Sequence, residues 1–270
     1  MPSDAGTAEP SVKPSSASAP VVPSSAVLPP PPVDVQRLAL FLDMDGVLAP
    51  LAPTPDAVLP TARRTRVLNR LNAALDGRVA VVSGRTLAEI DRISDNASPS
   101  ASGVHGLERR RRDGSVDTRS ADPAVRTVIA AFDAFAARTP GVIVEDKGVS
   151  AGLHYRQSRA AEADARDLAR RLSEETGLAL QAGDLVVELK TPGSSKGTAV
   201  AAFMAEAPFK GAVPVMLGDD LTDEDGFRAA AGLGGFGVLV GPMRPTAAAC
   251  RLEGVDAVLD WLDAVADAQS

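Results

Sequence analysis

The chain has 270 residues, 45% of them hydrophobic, enough to furnish one large or two modest packed cores. A net charge of −7 and a pI near 5.0 argue against a nucleic-acid surface as the main partner, and no stretch approaches the roughly 18 apolar residues of a membrane span. Cys250 is the single cysteine, so an intrachain disulfide is excluded; with two histidines, His105 and His154, little remains for a Cys/His zinc site, and a reducing, cytoplasmic setting is expected.

Residues 1–34 are rich in Pro, Ser and Ala and lack the basic and apolar stretches of a signal peptide. They read as a disordered tail with polyproline II character at prolines 29–32. From residue 38 apolar runs alternate with helical patterns: a strand at 38–42, a helix near 61–75, a strand at 78–82 and a short helix from about 86. Such alternation predicts a parallel sheet with crossover helices. The rhythm then changes. Residues 101–120 read as paired strands around the Asp113-Gly114 turn, with arginines 109–112 on a solvated arm. A helix at 123–138, strands near 142–146 and 149–155, a helix at 160–176 and strands near 178–181 and 185–189 follow. The first rhythm resumes with a helix at 196–206, a strand at 213–217, a helix at 222–231, a strand at 236–240 and a last helix at 256–267 carrying Trp261. The fold class expected is α/β: a Rossmann-like parallel-sheet core, 35–106 and 191–270, with an inserted α+β cap, 107–190, able to close over the site.

"LFLDMDGVLA", residues 40–49, sets Asp43 and Asp45 at the carboxyl end of a buried strand. Side chains at i and i+2 share a face, and open α/β sheets bind ligands at that end. A calcium loop would need further alternate oxygen ligands, and "VLAPLAPTP" supplies none. Asp219 and Asp220 follow the strand at 213–217 in the same way, whereas Asp223, Glu224 and Asp225 read as an acid-rich helix start with Thr222 or Asp223 as cap. Acids gathered at sheet ends repel one another unless a cation neutralises them, and hard oxygen ligands point to Mg²⁺. Ser83 and Gly84 offer a hydroxyl and a backbone N–H after another strand, and Lys196 adds an ammonium at a helix start, groups suited to phosphate oxygens.

In this order the stretches resemble the four motifs of the haloacid dehalogenase phosphatases and, more closely, the trehalose-6-phosphate phosphatases. The blocks are "LFLDMDGVLAPL", "VVSGR", "GVHGLE", "VEDKGVSAGLHYR", "LVVELKTPGSSKG" and "GDDLTDEDGF", spread over residues 38–262. The resemblance implies Asp43 as a nucleophile forming an aspartyl-phosphate and Asp45 as general acid and base. It implies Mg²⁺ held by Asp43, the backbone carbonyl of Asp45 and Asp219, with Asp220 assisting. Ser83 and Lys196 would hold the phosphoryl group, with Gly84 and Arg85 also binding substrate, and Glu145, Lys147 and Glu188 of the cap would read the sugar. The expected partner is a small molecule, trehalose 6-phosphate, with no nucleic acid, no membrane and a monomeric chain. His105 and His154 are expected in structural roles at the hinge and on a cap strand. Two positions depart from the family pattern: Val47, usually Thr, and Ser195, usually Asp. The competing readings are a phosphatase of mannosyl-3-phosphoglycerate or sucrose phosphate, and a silent sugar-phosphate binder.

Overall fold

The computed structural model describes residues 21–52, 54–183 and 185–269; the first part of the expected tail lies outside the described residues. The chain opens with β1 (Leu38–Leu42), α1 (Ala62–Ala74), β2 (Val79–Val82), α2 (Leu87–Ser94), β3 (Ser100–Gly103) and a hairpin of β4 (Glu108–Arg110) and β5 (Val116–Thr118). A second unit comprises α3 (Ala124–Ala136), β6 (Ile143–Asp146), β7 (Ser150–His154), α4 (Glu162–Thr176), β8 (Ala179–Gly183) and β9 (Val186–Lys190). The chain then returns through α5 (Lys196–Met204), β10 (Val213–Gly218), α6 (Glu224–Gly232), β11 (Phe236–Val240), β12 (Cys250–Leu252) and α7 (Val255–Ala268).

The eight-stranded sheet runs β12-β11-β10-β1-β2-β3-β4-β5, parallel from β12 to β3. β1 is apolar at every position because it is covered on two sides. Leu38, Leu40 and Leu42 pack with α1, α2 and α7 on one face; Ala39 and Phe41 pack with α5 and α6 on the other. β1 sits between β2 and β10, with Leu42 opposite Leu217, so the two halves of the core meet where the carboxyl ends of these strands emerge. The fold class is the one read from sequence. The second unit carries its own antiparallel sheet, β6-β7-β9-β8, with α3 and α4 packed on one face around Phe132, Leu153, Tyr155 and Leu189.

Three features differ from the sequence reading. The hairpin, expected in the cap, extends the core sheet: β3 is paired to β2 on one side only, and β4 takes its free edge antiparallel, Ser102 opposite Arg109. Its arginines are tethered rather than solvated, Arg110 to Asp91 at 2.6 Å and Arg109 to Glu206 at 2.7 Å. Residues 21–34 are laid against the core instead of hanging free. Val22 bridges to Thr246, the Pro29 carbonyl accepts the Arg251 N–H at 2.9 Å, and the Pro31 carbonyl accepts the Trp261 indole N–H at 3.0 Å. A proline-rich segment keeps its carbonyl acceptors and has few donors to satisfy, which suits it to this one-sided pairing. No helix among the described residues is long and apolar enough to cross a membrane.

Candidate active site

β1 ends at Leu42, and the chain turns within four residues. Gly46 makes the turn possible at φ 73°, and a Cβ there would stand 2.0 Å from a carboxylate oxygen of Asp219. The strand alternation therefore stops, and the first two acids diverge instead of sharing a face. Asp43 is 5% exposed and its Oδ2 lies 2.8 Å from Lys196 Nζ. Asp45 turns to Arg85, whose guanidinium donates to its two oxygens at 2.7 and 2.8 Å and to Glu89 at 3.1 Å. Arg85, expected to bind substrate, is thus engaged with Asp45, the residue expected as general acid and base.

Lys196 is 2% exposed, fixed at the first position of α5 by Ser195, whose side chain caps the helix in a reciprocal box with Thr198. Its Nζ lies 2.7 Å from Asp223 Oδ1. The other Asp223 oxygen accepts the backbone N–H groups of Asp219 and Asp220, each at 3.0 Å. Asp43, Asp219 and Asp223 each place a carboxylate oxygen within 4.8 Å of the others. Asp220, expected among the ligands, is absent from this set: one of its carboxylate oxygens accepts the Leu221 N–H at 2.6 Å, and the residue is half-buried with its other oxygen toward Gly183 of the second unit. Asp223 replaces it. The sequence reading left Asp223 as a helix cap; the available signal was its place one short turn after Asp219.

Electrostatics follow from this crowding. Burial pushes the Asp43 carboxyl well above its usual range, Lys196 opposing and Asp223 and Asp219 adding to the rise. Burial, with Asp223, pushes Asp219 up to about 7. Burial opposes the charge on Lys196, but Asp223 and Asp43 hold its pKa above the ordinary lysine value. Three carboxylates around one ammonium leave an excess of negative charge, and these all-oxygen donors fit a hard divalent cation.

Ser83 lies buried just after β2, and its Oγ accepts the Arg85 N–H at 3.3 Å. The Gly84 carbonyl accepts Lys147 Nζ from the second unit at 3.0 Å. Lys147 also meets Glu188 at 3.2 Å and Glu145 at 3.5 Å, Glu145 meets His154 at 2.9 Å, and Glu188 stands 3.5 Å from His105. The three cap residues named from sequence are therefore brought together, facing the core. Burial opposes the Glu188 charge, yet the Lys147 ammonium holds its carboxyl well below the usual range. His105 was read as a hinge support and stands inside this group. A cavity of about 340 Å³ adjoins Lys196, with Gln181 and Lys190 of the second unit on one wall and Thr222 and Asp225 on the other; sequence reading passed over all four as site residues. The two departures are local: Val47 is fully buried in the core, and Ser195 serves as the helix cap.

Residues 41–255 match the family model described as trehalose-phosphatase. The chain is 41% identical over 234 residues to trehalose-6-phosphate phosphatase of Escherichia coli, covering 86% of this chain and 88% of that one. It is 37% identical over 218 residues to a probable trehalose-phosphate phosphatase of Sinorhizobium fredii, covering 80% and 82%. Among solved structures it superposes on the C-terminal domain of Candida albicans trehalose-6-phosphate phosphatase with a TM-score of 0.79 at 23% identity, covering 90% of this chain and 99% of that one. It also superposes on a phosphatase of the haloalkanoate (HAD) enzyme superfamily from Bacteroides thetaiotaomicron, with a TM-score of 0.58 at 20% identity, covering 88% and 96%. The chain is thus a phosphatase and belongs to the trehalose-phosphatase family.

Proposed function

We propose that this phosphatase hydrolyses trehalose 6-phosphate to trehalose and inorganic phosphate, within trehalose biosynthesis, through an aspartyl-phosphate on Asp43. The observation that carries the reading is the buried pair of Asp43 and Lys196, 2.8 Å apart at the end of β1. A phosphate dianion repels a carboxylate, and attack requires fixed positive charge at the point of approach. Asp43 forms the new O–P bond as the bond from phosphorus to the sugar oxygen breaks. Asp45 gives that oxygen a proton and later takes one from the attacking water; to reach it, Asp45 turns out of the Arg85 fork. Ser83, the Gly84 backbone and Lys196 hold the equatorial oxygens. Arg85, by this account, acts through Asp45 and not on the phosphate.

Asp43, Asp219 and Asp223 are the side chains assigned to Mg²⁺, joined by the backbone carbonyl of Asp45 as the family resemblance implies. Bound there, Mg²⁺ supplies positive charge that offsets the phosphate and keeps these acids ionised. The raised proton affinities of Asp43 and Asp219 support that demand. Glu145, Lys147 and Glu188 are assigned to the sugar, supported by their position on the core-facing side of the second unit. We place the chain in the cytoplasm as a monomer.

Mannosyl-3-phosphoglycerate and sucrose phosphate are not favoured as substrates, given the 41% identity to a trehalose-6-phosphate phosphatase. The test is phosphate release across a panel of sugar phosphates, with chelator and with Mg²⁺. Trehalose 6-phosphate is expected to be turned over fastest, and chelator to silence it. Faster turnover of another sugar phosphate would overturn the substrate; undiminished rates in chelator would overturn the metal.

A further inference from the structure

The sheet of the second unit carries a transverse row of residues. Glu145 lies opposite Gly152, Gly152 opposite Glu188, and Glu188 opposite Gln181. Residues directly opposite on neighbouring strands share a face, so Gln181 points the same way as Glu145 and Glu188, toward the core. Gly152 contributes no side chain, and Glu145 and His154 close over its place in the row. Of these positions, Gln181 lines the cavity that adjoins Lys196.

The Gln181 amide is oriented by its neighbours. Lys190 Nζ can only donate, so the oxygen 2.7 Å away is Oε1, and the nitrogen faces His105 Nε2 at 2.8 Å. His105 is buried, which pulls its pKa down to about 4, so it stands neutral and accepts on Nε2. Lys190 is 6% exposed and brings two further N–H groups. One amide N–H of Gln181 goes to His105, and the other is left for a ligand. The facing wall supplies acceptors, the Thr222 hydroxyl and the Asp225 carboxylate, and Leu180 and Leu221 stand exposed beside them. Donors on one wall, acceptors on the other and apolar flanks match the hydroxyls and C–H faces of a sugar ring.

We infer that Gln181, held by Lys190 and His105, is a specificity-determining residue that donates a hydrogen bond to a sugar hydroxyl of the disaccharide phosphate in this cavity. The inference rests on the substrate reading above. The isosteric Gln181→Met removes both donor and acceptor; Gln181→Glu keeps an acceptor for Lys190, preserves the wall and removes the donor. For each, kcat/KM is measured with trehalose 6-phosphate and with a small aryl phosphate that lacks the sugar, and their ratio is compared with that of the wild type. Loss of one buried hydrogen bond to substrate is expected to lower the ratio about tenfold, the thermal midpoint of Gln181→Glu staying near that of the wild type. A purely structural role would depress both substrates together and leave the ratio unchanged. A wild type that prefers trehalose 6-phosphate, with ratios in both variants within twofold of it, overturns this inference alone. A wild type with no such preference removes the substrate reading and this inference with it.

Discussion

Asp220 and Asp223 are two turns of phrase in one acidic sentence of sequence, yet their surroundings are opposite. Asp223 is fully buried against Lys196, while Asp220 is half-buried and caps the short turn that follows it. Asp223→Asn is expected to abolish most turnover and to lower stability by roughly 3 kcal/mol, since it removes a partner from a buried ammonium. Asp220→Asn should keep turnover within about threefold, the hydrogen bond at the helix start being worth only about 1 kcal/mol. Phosphate release and denaturant unfolding of the two variants decide the ligand set; equal damage would restore Asp220 to it. Asp43→Asn should abolish turnover with the fold intact, and Asp45→Asn should slow it by about 10²–10⁴-fold through loss of proton transfer. His105 gives a pH signature. An unfolded imidazole takes a proton near 6.5, the buried one near 4, so between these values the unfolded chain binds the extra proton and stability falls as pH falls. At about 1.4 kcal/mol per pH unit this amounts to about 3 kcal/mol. His105→Asn, tolerated at the left-handed backbone there (φ 52°), should flatten the decline in melting temperature from pH 7 to 4.5; parallel curves would contradict it. Asp43, Ser83 and Lys196 were legible because each follows a strand or opens a helix at motif spacing. Asp223 was not, because its position depends on one short turn, Leu221–Asp223, folding it beneath the amides of Asp219 and Asp220.

Elements with strong periodicity were readable and short charged ones were not. β1, β2 and β10 announce themselves as apolar runs, and α1, α4 and α7 as amphipathic ones. β12 has three residues, too few for a pattern. The β4–β5 hairpin was recognisable from its Asp-Gly turn, but turn chemistry says nothing about which sheet edge the hairpin joins. The proline-rich segment was misread because composition reports low core-forming capacity, not the presence of acceptors for an indole and a strand edge. Trp261 is the single tryptophan, so this contact can be watched directly. Trp261→Phe loses the hydrogen bond to Pro31 and should lower the melting temperature by about 2–4 °C. Deleting residues through 34 should shift the tryptophan emission to the red as water reaches the ring; unchanged emission would mean the segment does not cover it.

At the scale of the molecule the site exists only because β1 lies between β2 and β10, joining residues 43–45, 83–85 and 219–223 with Lys196. The second unit completes it through Lys147 on the Gly84 carbonyl. Ala substitutions at Glu145, Lys147 or Glu188 should therefore lower kcat/KM for trehalose 6-phosphate more than for an aryl phosphate, because remote binding energy aligns phosphorus. Lys196→Ala should damage the two together; parallel losses in the cap variants would assign those residues to the hinge. The proline segment has a last consequence, for self-association. An open sheet ends in two rows of unpaired backbone groups, each a template for another chain. At one end the short strand β5 is exposed and polar around Asp117. At the other, the Pro29 carbonyl occupies the Arg251 N–H of β12, and prolines have no N–H with which to extend the ladder. A chain clipped at residue 34 would uncover that edge, and the clipped protein should scatter light on concentration while the intact one stays clear.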